Sequence, residues 1–280
     1  MLDALPQVPI GSKDGAMPDV NRLAAHYLTH LCFAFWNPPG PSTPQVSTHP
    51  SPDIPQKVVI KELIRQSTDD HQMSTLKTLV ELRDNKLKCP VSSSPFIPAV
   101  HGVVSELAHI LPFSIHGKSE THKAIEMFTG MDIDAQTIIA LVNRPENALL
   151  LDHDSHKAFD TMCSWGIEAY VDVNGTNRYF VRPIIPKQIP MHMLGYINRE
   201  FILGDGIQGI GEEGNRIALP DPRLCNLKLN VMRVMHASGA ADVFEEQKKN
   251  LLRTSIAQPC NLSFWALQWR WTKSFLTNST

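Results

Sequence analysis

The stretch Asn147–Asp160, reading NALLLDHDSHKAFD, constrains this chain more than any other. The apolar run Ala148 to Leu151 follows Pro145 and Glu146 and reads as a short buried strand, after which Ser155 starts a helix running to about Cys163. Upstream, Ala99 to Leu111 is apolar and β-branched and ends in AHIL, which predicts a strand carrying His109. Strand, strand and helix in that order put His109 on an extended segment, Asn147 ahead of the second strand and His156 just inside the helix.

A helix packed across the first strand would let both imidazoles face one cleft, with Asn147 bracing the chain between them. An asparagine amide has donors and an acceptor, enough to tie down neighbouring backbone. A histidine, with an unperturbed pKa of about 6.5, is a proton acceptor that is substantially neutral at cellular pH. Phosphodiester hydrolysis needs such a base and a cation to absorb developing negative charge.

These residues resemble the HNH endonuclease family, most clearly in AHILPFS, RPENALLL and the HKAFD helix start, over roughly Cys89 to Phe180. The proline-rich front, WGIEA at Trp165 to Ala169 and LCNLKLNVMRVMHASGAADVF are similar to a subgroup with an AHI-type first strand common among fungal chains. The resemblance implies an α+β protein with a ββα-metal core and helical N-terminal, insert and C-terminal elements. It implies His109 as general base, Asn147 as the residue fixing the loop, and His156 as ligand of one divalent metal ion, magnesium or manganese in preference to zinc. The partner would be nucleic acid, DNA in preference to RNA.

One departure bears on catalysis. Many family members carry an acidic or histidine metal ligand immediately before the base, and here that residue is Ala108. Asp152 and Asp154 are the nearby carboxylates that could compensate as metal ligands; equally, they are first-turn carboxylates favouring the helix dipole. Asp160 follows His156 on the same helical face and could orient its ring from behind. The alternative function is a catalytically silent binding or scaffolding module that keeps the fold.

The formal net charge of −2 excludes a protein that coats nucleic acid through a large electropositive face. Contacts must be local, and among basic residues near the motif, which include Lys118 and Lys123, the candidates are Arg144, Lys157, Arg178 and Arg182. The cysteines Cys32, Cys89, Cys163, Cys225 and Cys260 fit neither a zinc-knuckle spacing nor a secreted disulfide frame. Cys89 reads as a buried, unreactive residue opening CPVSS, where relatives more often run cysteine, two apolar residues, threonine and glycine. The missing glycine predicts a looser turn.

The chain starts without a basic, then apolar, secretory signal, and no window reaches the roughly 18 uninterrupted apolar residues of a membrane span. The expectation is an intracellular protein, nuclear or cytoplasmic, in which the sequons at Asn174, Asn261 and Asn278 carry no meaning. Residues 1–36 form a helical segment, with a buried amphipathic run from Leu23 to Trp36, and 37–56 a Pro/Ser/Thr-rich linker. Residues 57–190 form the HNH-type domain, beginning with helix-like spacing over Lys57 to Arg65 and Met73 to Arg83. Its insert holds helices over Glu120 to Thr129 and Asp134 to Val142. Asn174 and Gly175 join a hairpin of Ile167 to Val173 and Arg178 to Ile184. Residues 191–250 are a helical extension packing on the core, with a helix over Pro222 to Gln247 interrupted near Ser238 and Gly239. His236 reads there as a satisfied structural histidine. Residues 251–280, with Trp265, Trp269 and Trp271, read as an atypical tail, aromatic without clear periodicity, whose order the sequence leaves open.

Overall fold

A computed structural model describes residues 16–36, 60–68, 73–84, 88–96, 104–130, 132–204, 217–246 and 249. The linker over 37–56, the tail over 251–280, Cys260 and two sequons lie outside the described residues. The described residues open with α1 (Ala16–His26), a π-helical stretch Tyr27–Cys32 and α2 (Phe33–Trp36), followed by α3 (Ile60–Thr68) and α4 (Met73–Arg83). Next come β1 (Ser105–His109), α5 (Ser119–Thr129), α6 (Ala135–Leu141), β2 (Ala148–Asp152) and α7 (His153–Asp160). A hairpin of β3 (Trp165–Val171) and β4 (Asn177–Pro183), the short β5 (Glu200–Phe201) and α8 (Pro222–Ala237) complete the described fold, which is of the α+β class.

β1 and β2 pair antiparallel with His109 opposite Ala148 and Ser105 opposite Asp152. All of β2 is buried, as an unbroken apolar run requires. The Asp152 carboxylate accepts from the backbone N–H of Ser155 at 2.9 Å and so caps α7. The helix therefore starts at His153, directly after the strand, instead of at Ser155. It stops at Asp160, short of the expected Cys163, which has a left-handed φ of 49°.

The hairpin forms where expected, but Gly175 alone supplies positive φ (78°) while Asn174 does not, so the loop is not the two-residue Asn-Gly type. Its longer turn is held by the Asp172 side chain, which accepts from the N–H groups of Asn174 and Thr176, each at 2.9 Å. The Cys89 turn is not loose. Cys89 N–H donates to Ser94 O and Ser93 N–H to Cys89 O, both at 2.8 Å, and Ser93 takes φ 57°, a conformation natural to the glycine that the resemblance led one to expect there.

α8 lies on β3. A side chain at Gly166 would place its first carbon 2.9 Å from Leu229 Cδ1, so the glycine lets α8 lie close to β3 without displacing that leucine side chain. Asn226 then clamps Ala169, accepting its N–H at 3.0 Å and donating to its carbonyl at 2.6 Å. The helix breaks at Ser238 and Gly239 (φ 74°) and resumes over 240–246. His236 is not fully satisfied, since its Nε2 is buried without a partner. Leu31, Phe35, Leu149, Phe159, Trp165, Val231 and Phe244 belong to one buried cluster, so the N-terminal helices and α8 share a core with the ββα unit. Among the described residues no helix is long and apolar enough to cross a membrane.

Candidate active site

Asn147 is fully buried at the end of a 3-10 turn, Pro145–Asn147. Its Oδ1 accepts the Leu111 N–H at 2.7 Å, and its Nδ2 donates to the carbonyls of Leu111 and Val142, both at 3.0 Å. Its backbone oxygen accepts the Ile110 N–H at 2.8 Å. The chain leaving His109 is thus clasped on both sides. Arg83, 1% exposed, secures the clasp by donating to Pro145 O at 2.8 Å and Ala148 O at 3.0 Å while paired with Asp84.

His109 closes β1 and is buried, and its Nε2 has no hydrogen-bond partner. Burial dominates its titration and lowers its pKa to about 4, against the pull of Asp160 and with the help of Lys228 and His156. The ring is therefore a neutral base at pH 7. The half-exposed ring of Phe113 is its neighbour, with centroids 6.4 Å apart.

α7 packs across β1 and presents His153, His156, Lys157, Asp160 and Thr161 to a cleft of about 360 Å³ shared with Glu106 of β1. Glu106 bridges two imidazoles, Oε1 lying 2.7 Å from His153 Nδ1 and Oε2 2.6 Å from His156 Nδ1. On its other edge, His156 Nε2 is 3.5 Å from Asp160 Oδ2. Burial works against charge on His156, yet Asp160 and Glu106 together raise its pKa to about 9. The hydrogen bond from His156, helped by that from His153, lowers Glu106 to about 2 despite burial. Burial also opposes charge on Asp160, but Lys228 and His156 outweigh it and hold this carboxyl well below its usual range.

The structure places His156 and Asp160 on this cleft, with Lys157 exposed on its wall, whereas His109 is buried and is not among the residues lining it, so the two imidazoles do not share the cleft as the sequence suggested. Asp152 and Asp154 are not brought there. The Asp152 carboxylate accepts from Ser92 Oγ at 2.6 Å and Ser155 Oγ at 2.7 Å besides capping α7, and Asp154 is exposed and lines no part of the cleft. Ala108 is fully buried. Of the other basic candidates, Arg144 pairs with Glu146, Arg178 with Glu200 and Arg182 with Glu168. Cys89 is buried, and burial pushes its thiol up to about 11. Cys32, Cys163 and Cys225 are likewise buried free thiols.

Sequence reasoning missed Glu106, His153 and Lys228. Glu106 and His153 had no signal beyond proximity to the motif. Lys228 had one, because it interrupts the apolar stripe of Leu224, Val231 and Met235 on α8.

Among the described residues no three His, Cys, Asp or Glu side chains converge as a ready-made metal cage. The donor chemistry nevertheless fits a cation. Glu106 Oε2 lies 2.6 Å from His156 Nδ1, so a carboxylate oxygen and an imidazole nitrogen stand together where a divalent ion could displace a shared proton.

Residues 89–162 match the family model of the HNH endonucleases. No curated protein and no solved structure matches the chain.

Proposed function

We propose, from the premise that residues 89–162 belong to the HNH endonuclease family, that this protein hydrolyses phosphodiester bonds of nucleic acid, DNA in preference to RNA, with the help of one divalent cation. The observation that carries this reading is the buried Nε2 of His109, unpartnered and kept as the free base at the end of the strand that also carries Glu106 of the cleft. His109 accepts a proton from the attacking water. Because Nε2 is buried, the Phe113 side chain or the imidazole itself has to turn to admit that water. Asn147 keeps the backbone beyond His109 in place during the attack. Glu106 and His156 would hold the cation, which supplies positive charge to the phosphate as negative charge builds there. Asp160 orients the His156 ring, and Lys157 meets a phosphate oxygen at the cleft wall.

Ala108 favours a second reading, a silent module that binds without cutting, since it leaves the cation with one donor fewer than many family members provide. A nicking assay separates the two. Wild-type protein should relax supercoiled plasmid in Mg²⁺ or Mn²⁺, and His109→Ala should lose at least about a hundredfold in rate with its circular dichroism unchanged. Equal nicking by the alanine variant would identify a contaminant and reject the assignment.

A further inference from the structure

Lys228 is 1% exposed, on the face that α8 buries. A lone ammonium placed there is strongly disfavoured unless an opposite charge meets it. Its Nζ donates to Asp160 Oδ1 at 2.6 Å and to the backbone oxygen of His109 at 3.3 Å, and it stands 3.7 Å from the centroid of the Phe159 ring. One side chain from outside the family segment therefore touches the residue bearing the candidate base and the last residue of α7.

Asp160 has two oxygens to give. Oδ1 is taken by Lys228, and Oδ2 faces His156 Nε2 at 3.5 Å. A free carboxylate at the edge of a cation cleft is by its chemistry a ligand. A carboxylate locked to a buried ammonium has its charge partly balanced and one oxygen occupied. We propose that Lys228 is a positioning residue that withholds Asp160 from the divalent cation and fixes it as the orienting partner of His156, leaving the cation to His156 and Glu106. The inference rests on the nuclease reading and makes α8 part of the site.

The sign of one effect separates this role from a structural one. Lys228→Met preserves length and apolar contact while removing the ammonium that occupies Asp160 Oδ1. Calorimetric titration of the full chain with Mn²⁺ alone should show binding at least about tenfold tighter than wild type. A lysine that only supported the fold would, on removal, loosen the cleft and weaken binding. If Lys228→Met does not fold, the double variant Lys228→Met with Asp160→Asn removes both charges together. It should bind Mn²⁺ within about fivefold of wild type, because Asp160 is not a ligand. Unchanged or weaker binding by a folded Lys228→Met protein, or a tenfold loss in the double variant, overturns the inference and leaves the nuclease reading standing. Absence of Mn²⁺ binding in every form overturns both.

Discussion

Asn147 and Leu111 are joined by two hydrogen bonds between side chain and backbone, Leu111 N–H to Oδ1 at 2.7 Å and Nδ2 to the Leu111 carbonyl at 3.0 Å, in a fully buried setting. Removing the amide strands a donor and two acceptors with no water to replace it. Asn147→Ala should lower unfolding free energy by roughly 2–4 kcal/mol. Urea denaturation would register this as an earlier midpoint at unchanged slope. A change under about 0.5 kcal/mol would mean the clasp is not what holds this loop.

Ser93 carries a backbone conformation natural to glycine, with φ 57°. The left-handed region costs a side chain about 1–2 kcal/mol, and the extra freedom glycine brings to the unfolded chain returns part of that. Ser93→Gly should therefore stabilise the protein by roughly 0.5–1 kcal/mol, raising the thermal midpoint by a few degrees. Destabilisation by the glycine would show that the serine side chain contributes more than the strain removes.

Acid should weaken the junction of β2 and α7. Burial opposes charge on Asp152, but hydrogen bonds from Ser92 and Ser155 prevail and lower its pKa from 3.8 to about 2. A depressed carboxyl contributes stability that is complete above its unfolded pKa and disappears as pH falls through the folded one. The window is thus about pH 4 down to about 2. Asp152→Asn keeps a capping oxygen without the charge, so the gap in stability between wild type and variant should narrow across that window. A gap independent of pH from 5 to 2 would assign the stabilisation to geometry alone.

Lys157 is exposed on the cleft wall, whereas Arg144, Arg178 and Arg182 are committed to carboxylates. Lys157→Ala should weaken binding to a short DNA duplex uniformly across sequences. It should also reduce the slope of log K against log salt by about 1, with Arg178→Ala leaving that slope in place. The reverse ranking would move the nucleic-acid contact to the hairpin.

The ββα unit is legible because its determinants are local. An apolar run makes β2, an aspartate directly after it caps α7, and the imidazoles ride on those elements. Of the two readings that the sequence left open for Asp152, metal ligand or helix-start carboxylate, the hydrogen bonds to Ser155 and Ser92 favour the second. Glu106 meets His156 across 50 positions, and Lys228 meets Asp160 across 68, separations that pattern reading does not bridge. A lysine on an apolar stripe was the one visible sign that α8 held a buried charge needing a partner. The hairpin arginines show the converse, since their spacing on one strand face gave no hint that Glu168 and Glu200 were waiting for them.

The most direct test of the central claim, that one cation shared by His156 and Glu106 lies beside the neutral His109, is the anomalous scattering of crystals soaked in Mn²⁺. The account predicts a single peak within coordination distance of His156 and Glu106, with the His109 imidazole turned toward it. A peak at Asp152 or Asp154, or a His109 ring opening into a separate cavity, would contradict it.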